Sequence, residues 1–174
     1  VGLRAVMAGS SQTSEIEVPE GHYADDNMKV TVVPNRNMLL LSVAGAYAVS
    51  EKAVSIAYAA HAGDHAQYPD CRQEFIDAMQ RAFQLNHYWR TELIAPFAGV
   101  TKDDIVRFGA DLNVPMHLTW SCYSGRDEHC GRCGTCCERQ EAFYLAGVAD
   151  STKYEDSEYW KSVCLKEQLN NSNA

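Results

Sequence analysis

Four cysteines fall within fifteen residues, Cys122, Cys130, Cys133 and Cys136, and no other feature constrains the fold of this chain as tightly. A soft divalent ion takes four thiolates at tetrahedral corners, about 2.3 Å from the metal. The two overlapping Cys-x-x-Cys steps of Cys130-Gly-Arg-Cys133-Gly-Thr-Cys136 turn neighbouring thiolates inward on one tight knuckle, and Cys122 closes the ring across a seven-residue spacer. Gly131 and Gly134 follow Cys130 and Cys133, where a knuckle needs backbone without a Cβ. A disulfide cluster and an iron–sulfur cluster compete with zinc for this pattern. The ferredoxin run has its fourth cysteine three residues on, followed by proline, whereas here Cys137 comes at once with Glu138 behind it. The spacing favours zinc in a closed four-thiolate cage, which is a structural site with no position open for chemistry.

Composition narrows the class. With 174 residues and 46% hydrophobic content the chain can bury a core, and its length predicts one domain. Seven cysteines, an odd number without a secretory segment, suit reduced thiols holding metal in the cytoplasm better than a disulfide framework. No apolar run reaches the length of a membrane span. The net charge of -8 argues against a protein that grips a phosphate backbone, so no direct nucleic-acid partner is expected.

Along the chain, Val1 to Met7 reads as the end of a helix whose start is missing from this sequence. Residues 10–34 are polar and turn-rich and predict a long connection of functional kind. The stretch 37–50 is apolar nearly all round and predicts a helix buried on most sides. Residues 53–60 predict a strand covered on both faces. A polar loop over 61–70 leads to a helix over 71–85 with Phe75, Ile76, Met79, Ala82 and Phe83 on one face, then to a strand near 89–95. Thr101 is the expected N-cap of a helix with Asp103 and Asp104 in its first turn, ending before Pro115. A further helix, 135–146, grows out of the knuckle; a last one is expected near 157–169, with the final five residues frayed. Strands alternating with helices predict an α/β fold with a mostly parallel sheet. The expected organisation is one α/β domain over residues 1–150, including the knuckle 122–136, and a polar tail over 151–174.

Ligands in such sheets bind beyond the carboxyl ends of the strands, which directs attention to two loops. In Pro34-Asn35-Arg36-Asn37, Arg36 and Asn37 stand at a helix entrance, where an anion meets both guanidinium and free N–H groups. The competing reading is that Asn35 or Asn37 caps the helix and Arg36 is solvated. The second loop runs from His61 to Arg72 and gathers Asp64, His65, Tyr68, Asp70 and Cys71. Asp64 offers a carboxylate to the amino edge of a purine-like base, or to a metal that accompanies phosphates. Asp70 has the same option, and also that of capping the next helix. Cys71 at a helix start is expected to have a lowered pKa, although a lone thiol is more often inert. Lys102 faces either an anion or solvent. No catalytic residue is identified.

The stretches Val33-Pro34-Asn35-Arg36-Asn37, Ala59-Ala-His61-Ala-Gly-Asp64-His65-Ala-Gln-Tyr68-Pro69-Asp70-Cys71-Arg72-Gln73-Glu74-Phe75, Leu118-Thr-Trp120-Ser-Cys122-Tyr123 and Cys130-Gly-Arg-Cys133-Gly-Thr-Cys136-Cys137-Glu138-Arg139 together resemble the 7-cyano-7-deazaguanine synthase family, in order over roughly residues 1–155. The resemblance implies a Rossmann-like PP-loop fold with helices on both faces of a parallel sheet and a C-terminal zinc-binding loop of four cysteines. It implies ATP-dependent conversion of 7-carboxy-7-deazaguanine and ammonia to the nitrile 7-cyano-7-deazaguanine, in queuosine and related deazapurine biosynthesis. It also implies one structural Zn2+ on Cys122, Cys130, Cys133 and Cys136, ATP as co-substrate with Mg2+, and a homodimer. The family's Ser-Gly-Gly-x-Asp-Ser phosphate loop has no counterpart, since no Gly-Gly pair occurs in this sequence. The expectation is therefore weak ATP binding by this chain unaided. Arg36, Arg72 and Lys102 would face the substrate carboxylate or nucleotide phosphates, Asp64 or Asp70 the base edge, and Tyr68 or Trp120 would stack on the base. Two alternatives stay open: a tRNA-modifying PP-loop enzyme, for which the acidic charge is a poor match, and a non-catalytic zinc-binding module.

Overall fold

The computed structural model describes residues 6–165, and they form two compact units. The first comprises Val33–Thr101 with the stretch that ends at Gly9; the second joins Ser10–Val32 to the chain from Lys102 onward. The helix end expected over Val1–Met7 lies mostly outside the described residues, as do the second half of the helix expected near 157–169 and the frayed end.

In the first unit, α1 (Arg36–Ser50), β1 (Ser55–Ala57), α2 (Gln73–Leu85) and β2 (Glu92–Ile94) follow in order, so the chain is α/β. The two strands pair in parallel with Ile56 opposite Leu93, making a small sheet. Tyr58 N–H extends the ladder to the Ile94 carbonyl (2.8 Å), and Glu92 N–H does so to that of Val54 (2.9 Å). Two short 3-10 turns, Ala62–Ala66 and Pro69–Cys71, carry the chain from β1 to α2. The core gathers Leu41, Ala60, Cys71, Ile76, Met79, Phe83, Leu93 and Ala98. Helix α2 is amphipathic as its spacing predicts, with Ile76, Met79 and Phe83 buried.

Helix α1 differs from expectation. It buries one stripe, Asn37, Leu41, Gly45 and Ala48, at the helical repeat of three and four. Gly45 lies so close to Phe83 that an added Cβ would meet the ring at 2.6 Å. Met38, Leu40, Val43 and Tyr47 are exposed instead of buried, because only one side of α1 meets the core. Strand β1 also departs from its expected double covering: Ile56 is half-buried while Ser55 and Ala57 are exposed.

The second unit contains a 3-10 turn over Asp26–Thr31, helices α3 (Lys102–Asp111) and α4 (Gly134–Ala146), and a π-type turn over Lys161–Leu165. Val106 of α3 packs on Ala142 and Phe143 of α4. Gly147 ends α4 in the left-handed region (φ 69°), its N–H returning to the Phe143 and Tyr144 carbonyls, as an αL C-cap requires. Helix α4 buries Glu138, Arg139, Gln140 and Glu141 as well as its cysteines, which obliges each polar group to find a partner. Lys102 pairs with Glu138, Asp150 with Arg139 (3.1 Å), and Gln140 Nε2–H donates to the Gly131 and Cys136 carbonyls (3.4 Å each). No helix among the described residues is long and apolar enough to cross a membrane.

Candidate metal centre

The knuckle is built on the start of α4. Cys133 occupies the N-cap in extended conformation (φ -68°, ψ 157°), and its carbonyl accepts from Cys136 N–H (2.9 Å) and Cys137 N–H (3.0 Å). This places Cys136 in the first turn, at the positive helix end, where thiolate charge is favoured. Gly131 takes φ 77°, and a Cβ there would come within 1.7 Å of the Asp156 carbonyl oxygen. That position admits only glycine for two reasons at once.

The Sγ atoms of Cys122, Cys130, Cys133 and Cys136 all lie within 4.8 Å of one another, and the four residues are buried. Cys130 Sγ and Cys136 Sγ are 4.0 Å apart, against about 3.8 Å for corners of a tetrahedron with 2.3 Å metal–sulfur bonds. Backbone N–H groups aim at the sulfurs: Cys130 N–H at Cys122 Sγ (3.3 Å), and the N–H groups of Arg132 (3.4 Å) and Cys133 (3.3 Å) at Cys130 Sγ. Such donors suit thiolates and are wasted on disulfides; the cysteines are free thiols. The Cys130 thiol sits well below the usual thiol range, first through bonding from Cys133 and Cys136, then through the two N–H groups, against the opposing effect of burial. Cys136 is pushed up by the same sharing. The donor set, its burial and its spacing fit a metal ion.

Cys137 takes no part in the cage. It packs with Trp160 and Cys164, and burial pushes its thiol up to about 12. Cys136, the residue that spacing nominates as the fourth member, is the one whose Sγ lies with those of Cys122, Cys130 and Cys133.

Segments on either side brace the knuckle. Glu20 bridges to Cys133 in antiparallel fashion, and Gly21 N–H donates to the Arg132 carbonyl (3.2 Å). Glu155 N–H donates to the His129 carbonyl (2.8 Å), and His129 bridges to Tyr154. Arg139 reaches Asp150, Thr119 Oγ1 (2.7 Å), Thr152 Oγ1 (2.9 Å) and the Met116 carbonyl (3.2 Å). Asp150 would be raised by its burial, but bonds from Arg139, Tyr154 and Thr152 outweigh this and hold its pKa down. Trp120 is fixed by Nε1–H donation to the Cys122 carbonyl (2.8 Å) and packs on His129, leaving half its surface exposed.

The other predicted residues fall in two places. Asp64, Tyr68, Asp70 and Arg72 gather on the consecutive turns between β1 and α2. Asp64 meets His61 Nε2 (3.2 Å), Tyr68 packs partly against the core, and Arg72 Nε–H donates to the His65 carbonyl (2.8 Å). Asp70 does not cap α2. Arg72 holds the N-cap position, and the Asp70 carbonyl accepts from Tyr58 OH (2.9 Å), because the Pro69–Cys71 turn delays the helix start. The expected lowered pKa of Cys71 is likewise corrected: burial pushes it up to about 11. Asn35, at φ 59°, occupies the N-cap of α1 without a side-chain cap bond, and Arg36 Nε–H donates to buried Asn37 Oδ1 (3.3 Å). Arg36 is near enough for its charge to act on Tyr58 and Cys71, which ties the entrance of α1 to the loop after β1. Lys102 belongs to the second unit, where it is held by Glu138 instead of being solvated.

A family profile described as "Queuosine biosynthesis protein QueC" matches residues 2–147. The chain belongs to the QueC family. Relatives of this QueC chain include proteins named 7-cyano-7-deazaguanine synthase from Brucella ovis, Brucella suis and Brucella canis, each 51% identical over 166 residues. The aligned region covers 94% of the QueC chain and 72% of each relative. Reading the sequence missed Arg132, Arg139 and Asp150, which brace the four-cysteine knuckle. Arg132 carried a signal in its place inside a Cys-x-x-Cys step, whereas Arg139 and Asp150 carried none.

Proposed function

We propose that this chain is an ATP-dependent enzyme that converts 7-carboxy-7-deazaguanine and ammonia to 7-cyano-7-deazaguanine in queuosine biosynthesis. The observation that carries this reading is the family match over residues 2–147 together with the common name of relatives half identical to it. A carboxylate becomes a nitrile when one nitrogen from ammonia replaces both oxygens on its carbon and its N–H protons are lost. Each oxygen must first be made a leaving group, once on the acid and once on the amide, and ATP supplies that activation with Mg2+ to offset phosphate charge.

The four buried sulfurs support a structural Zn2+ on Cys122, Cys130, Cys133 and Cys136, closed to substrate, whose task is to fold the knuckle. Arg36 and Asn37 at the start of α1, with Asp64, Tyr68, Asp70 and Arg72 on the adjoining turns, are our choice for the substrate or nucleotide wall. They combine cations for carboxylate or phosphate with carboxylates for the N1–H and amino edge of the base. Lys102 is assigned an anion-binding role that it must share with Glu138. We place the small parallel sheet in a Rossmann-like PP-loop arrangement over residues 1–150, in a homodimeric cytoplasmic enzyme; the exposed Met38, Leu40, Val43 and Tyr47 of α1 supply apolar surface for a second subunit.

The test is incubation of the zinc-loaded protein with 7-carboxy-7-deazaguanine, ammonium and MgATP, followed by mass spectrometry for the nitrile. ATP-dependent appearance of that product is expected, and its absence with metal in place overturns the assignment.

A further inference from the structure

Arg132 is the one knuckle residue between Cys130 and Cys133 with a side chain, since its neighbour is Gly131. That side chain spans two segments remote in sequence. One guanidinium nitrogen contacts Glu20 Oε2 (2.7 Å), and the other contacts Asp156 Oδ2 (3.1 Å). The guanidinium also lies over the Tyr159 ring, 4.1 Å from its centroid. Asp156 is itself fixed, its Oδ1 accepting from the N–H groups of Glu158 and Tyr159 (3.0 Å each). The backbone of Arg132 meanwhile serves the cage, donating to Cys130 Sγ and accepting from Gly21.

We infer that Arg132 is a positioning residue of the metal centre: by tying Glu20 to Asp156 across the knuckle, it keeps its own N–H and that of Cys133 aimed at Cys130 Sγ. This rests on the reading of the four cysteines as a zinc cage. Two N–H groups converge on one sulfur only while the peptide planes on either side of Arg132 are held, and Gly131 gives those planes unusual freedom. Both ion pairs are partly exposed, so their loss has a small effect on global stability. Loss of the orientation they impose acts on the metal, as changes to groups that orient metal ligands do, by roughly ten- to hundredfold in affinity. Lysine supplies the charge but not the planar fork that meets two carboxylates and a ring together.

The experiment follows zinc release from the full chain to an excess of chromophoric chelator, for wild type and for Arg132→Met, Arg132→Lys, Glu20→Gln and Asp156→Asn. Release at least about tenfold faster from Arg132→Met is expected, with Arg132→Lys intermediate and each carboxylate variant also faster than wild type. Thiolate-to-Co(II) absorption should saturate at higher free cobalt in Arg132→Met, with the melting temperature shifted by only a few degrees. Wild-type release kinetics in Arg132→Met overturn the inference. Should that variant fail to fold, wild-type kinetics in both Glu20→Gln and Asp156→Asn overturn it equally. A wild-type protein that takes up no zinc overturns the cage reading itself, which separates the two failures.

Discussion

Cys136 and Cys137 are consecutive, yet their sulfurs belong to different environments: Cys136 faces Cys130 at 4.0 Å, and Cys137 turns to Trp160 and Cys164. In the first turn of a helix, adjacent side chains point about 100° apart, so one residue enters the cage and the next enters the apolar cluster. Cys136→Ser should therefore abolish stoichiometric metal, while Cys137→Ala should retain one ion per chain. Elemental analysis of the two purified variants decides this; equal metal loss from both would contradict the assignment.

Gly131→Ala meets a positive φ and the Asp156 carbonyl together. A loss of roughly 2–4 kcal/mol in unfolding free energy is expected, since strain and overlap act on the same peptide. Urea unfolding of metal-loaded protein measures it. The control is Gly125→Ala, whose φ is also positive (61°) but which has open space around it, and the difference between the two isolates the overlap.

Arg139 and Asp150 form a buried pair with most of its hydrogen bonds satisfied. Arg139→Met leaves the Asp150 carboxylate buried without its cation and should cost about 3–5 kcal/mol. Because the folded pKa of Asp150 is lowered from 3.8, its contribution is complete above that value and is lost as pH falls through the folded pKa. Unfolding midpoints from pH 5 downward should fall less steeply in Asp150→Asn than in wild type.

How far the sequence reveals this molecule depends on distance along the chain. The cage is local: Cys122 to Cys136 and two glycines specify their own turn, so spacing alone identifies the four sulfurs that meet. Helix α2 is legible because its apolar residues keep to one face and leave the other charged. Helix α1 is apolar on several faces, so periodicity cannot say which stripe meets the core. Within the helix expected over 135–146, the run Cys137-Glu-Arg-Gln-Glu141 is buried throughout, a fact its polar composition conceals, since Glu138 meets its counter-charge at Lys102 and Arg139 at Asp150. The stretch 10–34 reads as a long connection for a related reason: what Glu20 and Gly21 pair with lies at Cys133 and Arg132.

Lys102 offers a test of that long-range pairing. Lys102→Met should destabilise the fold by roughly 2–4 kcal/mol, because Glu138 stays buried with no cation. Lys102→Met combined with Glu138→Gln should recover part of the loss, and a double-mutant cycle from urea unfolding reads the coupling. Additive losses would mean that the two side chains do not meet in solution.

Cys71 should be chemically quiet. With its thiol pushed up to about 11, only about one molecule in a thousand carries the thiolate at pH 8. Mass spectrometry after iodoacetamide treatment of the native protein at that pH should find it unmodified, and rapid labelling would place it at the surface.

The cysteine half of the molecule is stitched from chain on both sides of Val33–Thr101, with Glu20 awaiting Cys133. During synthesis the early strip leaves the ribosome long before its partners exist, while β1, α2 and β2 already have what they need from their own neighbourhood. The four-sulfur unit therefore cannot close until Cys133 has followed β1, α2 and β2 out of the ribosome, and its folding lags behind theirs.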